Sequence, residues 1–273
     1  LVTAFSSVGS AGVLYQETFN DLPTGGPDLG GGNPLADDGW FNVKGDDSEL
    51  GGVNDAGGID GNFMEGPGPG FSGNTSDNWQ QKQFTTPTEL TATTQDVYYS
   101  FFARPNQFGD VFRLRLAVSP AGPADESNPD QTTSNFGPGF GVDDVDGEVQ
   151  LTIKQAPFGA DNTVAPSTPI DFDDWIELRL VLNQDTADIT QSTGSLYYRN
   201  ITKGETELAP VTGLQDINLG LNSTLNAGNF DTWVLDNFKT REDVDNLTVG
   251  IVPEPGSVAL MGLGAAALLR RRR

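Results

Sequence analysis

The 273-residue chain contains no cysteine and no histidine. Without cysteine there is no disulfide framework, no thiolate nucleophile and no zinc–thiolate centre. Without histidine, Ser-His-Asp and Cys-His catalysis are excluded, together with the usual transition-metal ligands. Positive charge is the third scarcity. Fifteen Lys and Arg face 38 Asp and Glu, for a net charge of −23. Four of the fifteen are the consecutive Arg270, Arg271, Arg272 and Arg273, so only eleven serve the rest of the chain. Such a body repels phosphate backbones and anionic lipid surfaces, which argues against a nucleic-acid partner. What remains for chemistry is carboxylate work and calcium binding. A solvated acidic surface accounts for most of these acids.

Sustained helical periodicity is also missing ahead of the tail, whereas alternation with period two is plain. Phe112, Leu114, Leu116 and Val118 alternate with Val111, Arg113, Arg115 and Ala117. Val149, Leu151 and Ile153 alternate with Gln150, Thr152 and Lys154, and Ile176, Leu178, Leu180 and Leu182 with Trp175, Glu177, Arg179 and Val181. One apolar face per strand predicts sheets packed on one side and solvated on the other. Further strands are predicted at Val13–Phe19, Trp79–Phe84, Tyr98–Arg104, Leu196–Asn200, Thr232–Phe238 and Asn246–Ile251. Between Asp21 and Asn78 lie 16 glycines, with only short apolar pieces at Trp40–Val43 and Asn62–Met64. That segment reads as long loops with short strands, and Pro120–Gly139 and Pro157–Pro169 read as loops. No internal repeat is visible. The expectation is one all-β domain over 13–251, built as a two-sheet sandwich.

Three stretches resemble the concanavalin A-like (laminin G-like) jelly roll: Tyr15-Gln16-Glu17-Thr18-Phe19, Trp175-Ile176-Glu177-Leu178-Arg179-Leu180 and Asp245-Asn246-Leu247-Thr248-Val249. The resemblance implies a possible structural calcium beside the paired first and last strands, drawing on Glu17 or Asn20 with Asp245 or Asn246. A plain turn at Asp245-Asn246, leading into the last strand, is the simpler account.

Glycanases of that fold flank one sugar bond with two carboxylates about 5–5.5 Å apart when they retain configuration. A Glu-x-Asp-x-x-Glu pattern is absent here. The nearest clusters are Asp171, Asp173 and Asp174, and Asp143-Asp144-Val145-Asp146-Gly147-Glu148. Both precede a predicted strand, as acidic turns do. The second also fails as a calcium loop, because Val142 stands at the leading ligand position. The expectation is therefore a protein that is not an enzyme, with a divergent glycan-acting hydrolase as the alternative. For binding, Arg113, Arg115, Lys154, Glu177 and Arg179 all point off the apolar faces of their strands. Together with Trp175 or Tyr197 as a stacking platform, they would form a groove for exopolysaccharide. Cross-strand ion pairs are the competing explanation.

The two ends speak of export. Leu1 to Val8 is largely apolar, and Gly9-Ser10-Ala11 fits a small-residue cleavage site, so residues 1–11 read as the remainder of a secretory signal peptide. At the other end, Val252-Pro253-Glu254-Pro255 leads into the uncharged run Ser257–Leu269 and then four arginines. Prolines stop the preceding strand, and the arginines hold the end at the cytoplasmic face. Ile251 to Leu269 is 19 residues, a marginal span against the roughly 17–25 that a helix needs. This tail resembles the PEP-CTERM sorting signal. The resemblance implies an exosortase that reads Pro253, Glu254 and Pro255, and a short hydrophobic helix over 253–273 holding the protein in the inner membrane. Cell-surface or matrix placement would follow.

Overall fold

The computed structural model describes residues 12–25, 34–42, 51–55, 57–59, 61–66, 80–91, 96–105, 112–118, 135–156, 159–236 and 242–252. The signal-peptide remainder expected at 1–11 and the tail helix expected over 253–273 lie outside them. In chain order the strands are β1 (Val13–Glu17), β2 (Trp40–Asn42), β3 (Gly52–Asn54), β4 (Phe63–Glu65), β5 (Gln80–Gln83) and β6 (Val97–Arg104). Next come β7 (Phe112–Ala117), β8 (Phe136–Val145), β9 (Glu148–Lys154), β10 (Asp161–Val164), β11 (Ile176–Asn183) and β12 (Thr193–Asn200). The chain closes with β13 (Ala209–Pro210), β14 (Ile217–Asn218), β15 (Thr232–Asp236) and β16 (Asp243–Ile251). Among the described residues, α-helix is confined to two four-residue turns, Pro34–Asp37 and Thr88–Thr91.

The strands form two antiparallel sheets. The first runs β13-β12-β11-β6-β16-β4-β3, with β1 added to β16 and β14 to β12; the second runs β10-β9-β8-β7-β15-β5-β2. The alternation read from sequence sets which face each sheet buries. Leu178, Leu180 and Leu182 of the first sheet, and Phe112, Leu114 and Leu116 of the second, are at most 1% exposed and share one core. Aromatic rings join the layers. Phe101 of β6 meets Phe112 and Phe140 edge-on at 6.0 and 5.3 Å, and Tyr99 meets Trp233 at 6.1 Å. The two-sheet sandwich expected from sequence is the observed fold.

Two stretches read as loops are strands. β8 begins inside the predicted loop Pro120–Gly139, and β10 lies inside Pro157–Pro169. In β8 the sequence Phe-Gly-Pro-Gly-Phe-Gly carries little β propensity, yet the strand lies between β7 and β9. Pro138 is tolerated because the register slips there: Ala117 pairs with Phe136 and Arg115 with Gly139, so the missing N–H falls at a bulge. Gly139 has a different reason. A Cβ there would come within 2.9 Å of Arg115 Cγ, so the bare backbone is what lets the Arg115 stem lie across the strand. The acidic stretch after β8 is a hairpin and not a cation loop. Val145 pairs with Glu148, and Asp146 and Gly147 both take positive φ, as a type I′ turn requires.

Replacing Leu178 by Ala is expected to cost about 2–5 kcal/mol, because it empties a site in the shared core. Urea unfolding checks this as a lower midpoint at an unchanged slope.

Candidate functional site

The seven residues expected to make one groove are divided between the sheets. Arg113, Arg115 and Lys154 belong to β7 and β9 of the second sheet; Glu177, Arg179 and Tyr197 belong to β11 and β12 of the first. Each group points away from the shared core, so the two lie on different outer faces. A single groove is therefore ruled out by topology, which pairwise alternation in sequence does not report.

On the second sheet the cations are covered. Arg113 and Arg115 are 5% and 2% exposed. Arg113 Nη2 reaches Asp161 of β10 at 3.0 Å, and Lys154 Nζ holds the same carboxylate at 2.9 Å. Arg115 lies over the Phe136 ring at 5.8 Å. Cross-strand ion pairing, the simpler of the two explanations, is what Arg113 and Lys154 do.

The first sheet presents a layered arrangement. Gly250 of β16 pairs with Tyr98 of β6, and a Cβ on Gly250 would meet the Tyr98 ring at 2.4–2.5 Å. The tyrosine therefore lies flat over the strand. Above it sits the Arg179 guanidinium, 4.6 Å from the ring centroid. Glu177 fixes the cation: its Oε1 accepts from Arg179 Nη2 at 3.0 Å, and its Oε2 accepts from Arg199 Nε at 2.7 Å. Arg199 is tied in turn to the Thr206 carbonyl at 2.7 Å. Tyr197 stands directly opposite Arg179 in the ladder and is half-buried. Burial raises the Tyr98 and Tyr197 phenols above their usual range, so both stay neutral hydrogen-bonding groups. Tyr98 and Arg199 carry no alternation signal of their own as binding groups; only the register reveals them.

Trp175 is not an exposed platform. It is 7% exposed, donates from Nε1 to the Gly57 carbonyl at 2.8 Å, and packs edge-on to Phe63 at 5.6 Å. The Arg104 guanidinium lies 5.0 Å from its ring and 5.1 Å from that of Phe63, held by Asp243 at 2.6 Å. This is a lock between the ends of β6, β11 and β16.

The acidic cluster at Asp171–Asp174 is also structural. Asp174 is buried; its Oδ2 accepts from the Asp171 N–H at 2.9 Å and from Asn200 Nδ2 at 2.8 Å. Lys203 bridges to Asp171 at 2.8 Å and to Asp174 at 3.4 Å. Asp173 takes a positive φ in the turn. Asp144 Oδ1 accepts from the Gly147 N–H at 2.8 Å within its own hairpin. Beside it, Asp143 lines a small cleft with Phe112, Phe172 and Glu242, and burial raises its carboxyl above the usual range against the pull of Arg113.

The residues considered for calcium have separate partners. Glu17 takes Lys82 at 2.9 Å and the Tyr15 hydroxyl at 2.7 Å, while Asn20 Oδ1 accepts from the Asn62 N–H at 2.8 Å. Asn246 Oδ1 accepts from Gln16 Nε2 at 3.0 Å, and its positive φ sits in a bulge of β16 beside the buried Asp245. Among the described residues no group of three or more acidic side chains could hold a metal ion.

β16 ends at the edge of the tail. Ile251 donates its N–H to the Gly12 carbonyl at 2.9 Å and Val252 donates to Asp96 at 2.8 Å, so the fold holds the chain up to one residue before Pro253. Residues 252–273 match the PEP-CTERM protein-sorting motif. The PEP-CTERM signal implies an exported protein that an exosortase processes and that is held through its C-terminus. No helix among the described residues is long and apolar enough to cross a membrane, and the PEP-CTERM segment itself lies outside them.

No curated protein matches the chain by sequence. Among solved structures, it is similar to the carbohydrate esterase vb_24B_21 from Shiga toxin-encoding bacteriophage phi24B. The TM-score is 0.47 at 11% identity, over 88% of this chain and 99% of that one. A variant of alginate lyase Aly36B with alginate trisaccharide gives 0.47 at 10% identity, over 87% and 98%. The carbohydrate-binding module CBM66 from Bacillus subtilis gives 0.35 at 14% identity, over 78% and 95%.

Two outcomes follow from the charge geometry. Glu177→Gln leaves two arginines facing a neutral amide in a buried setting and should cost about 3 kcal/mol or more. Arg199→Ala, at a site 28% exposed, should cost less, and thermal unfolding of both separates them. For Asp143, the folded protein holds its proton to higher pH than the unfolded chain does. Its contribution is therefore greatest below the ordinary carboxylate range and is lost as pH rises through the raised value. Asp143→Asn should then reduce the gain in unfolding free energy on acidification from neutral pH, measured against the natural chain.

Proposed function

We propose that this is an envelope or extracellular-matrix protein delivered by the exosortase route, whose sandwich is structural or carbohydrate-binding and carries out no catalysis. The observation that supports this is the platform on the first sheet: Tyr98 flat on Gly250, Arg179 stacked above it, Tyr197 alongside. A guanidinium has five donors in one plane, and Glu177 takes one of those on Arg179. Its Nε–H is buried, and the remaining Nη donors suit the hydroxyls and carboxylates of an acidic or neutral polysaccharide, with the aromatic rings supplying an apolar face. The acidic clusters that a glycanase would use are engaged in turns, at Asp174 and Asp144.

The test is retention on purified exopolysaccharide. Arg179→Ala with Tyr197→Ala should weaken it at least about tenfold, or roughly 1.4 kcal/mol, whereas Arg113→Ala should not. Equal retention of the double variant and the natural protein would sink the platform.

One observation favours the second reading, a glycan-acting hydrolase. Asp143, whose carboxyl burial raises above its usual range, shares its cleft with Asp144 and Glu242. A carboxyl raised in this way beside other acids is the direction of tuning that a general acid needs. Reducing-sugar release from a polysaccharide panel that disappears in Asp143→Asn would establish that reading in place of the first.

A further inference from the structure

Glycine is concentrated in one early segment of the body. Eleven glycines lie between Asp38 and Lys82, and each adds backbone freedom that folding must remove. Disulfides cannot help a chain without cysteine. The two ends of this segment nevertheless meet. Lys82 Nζ lies 2.5 Å from Asp38 Oδ2 and 2.9 Å from Glu17 Oε1. The side chains of Lys82 and Glu17 are 12% and 9% exposed, and Asp38 is 29% exposed.

The surroundings are aromatic and nearly dry. In the second sheet Lys82 pairs with Trp40 on one side and Trp233 on the other. Both tryptophans are buried, and each has an indole N–H with no acceptor. Phe19 packs on Trp40 at 6.2 Å, and Tyr15 stacks on Phe84 at 5.1 Å while donating to Glu17. Glu17 comes from β1 of the other sheet, so it is presented to the Lys82–Asp38 pair from across the core.

We infer that Lys82 and Asp38 form an intramolecular amide cross-link, with Glu17 as the side chain that moves the proton. The atoms balance within the pair itself: an ammonium and a carboxylate contain one amide and one water. Glu17 takes a proton from Lys82, and the free amine forms the new N–C bond at Asp38 Cγ. One C–O bond of Asp38 then breaks, and its oxygen leaves as water with two protons, the one that Glu17 returns and the one that the nitrogen loses on becoming an amide. Glu17 ends as it began. Contact of the reacting groups in one geometry removes the entropic part of the barrier. Burial raises the Glu17 carboxyl above its usual range, so that it can both accept and return a proton. The product closes a loop around the glycine-rich segment, restraining the unfolded chain as a disulfide would.

Peptide mapping of the full chain, purified in its folded state, tests this. The natural protein should yield one species joining the segment of Asp38 to that of Lys82, lighter by one water than the two together, and uncut by trypsin at Lys82. Lys82→Arg keeps a cation beside the two acids but has no amine to acylate; it should fold and lose the joined peptide. Glu17→Gln should retain both reacting groups and lose it too. Separate, unmodified Asp38 and Lys82 peptides from folded natural protein would overturn the cross-link. A dehydrated Asp38-Gly39 peptide persisting in Lys82→Arg would overturn it also, since it marks a cyclic imide. Joining at the natural rate in Glu17→Gln would remove the proton-transfer role.

Discussion

Cations are scarce in this body, and where they go shapes the rest of the structure. Lys82, Arg104, Arg113, Lys154, Arg179, Arg199 and Lys203 each lie within 3.0 Å of a carboxylate. An isolated surface pair of this kind contributes little. Several of these are not isolated: Glu177 serves two arginines, Asp161 an arginine and a lysine, Lys82 two acids from different elements. Removing Glu177, which is buried, strands two arginines that share it. Acids outnumber bases, and some carboxylates are held by backbone N–H groups instead, as Asp144 is by Gly147.

Glycine makes this placement possible. At Gly139 a bare backbone gives passage to the stem of Arg115, and at Gly250 it gives Tyr98 a seat on which Arg179 can stack. The same residue type that lowers strand propensity is here what allows large planar groups to lie parallel to a sheet. That explains a central strand containing Gly-Pro-Gly. Its stability comes from neighbours on both sides and from Phe140 and Val142 in the core, so local preference is overruled by packing.

The sorting signal follows the fold with no spacer. Val252 is at once hydrogen-bonded to the body and the first residue of the PEP-CTERM match. The strand carrying Gly250 and its tyrosine–arginine layer is thus the strand that leads to the membrane-directed segment. The sorting signal and the candidate binding face are linked through β16.

Much was legible before any coordinates. Absence of cysteine and histidine, acidic excess, the period-two strands and the Pro-Glu-Pro tail with four arginines are one-dimensional properties. They set the exclusions, the all-β class and the export route. Alternation also stated correctly that Arg113, Arg115, Glu177 and Arg179 leave the core faces. It could not state which sheet each strand joins, because strand order depends on hydrogen bonds between residues distant in the chain. Tertiary structure alone divided the expected groove, buried Trp175 beneath Arg104, and brought Asp38, Lys82 and Glu17 together. Those are contacts between separate elements, and their energies depend on burial that no local pattern records.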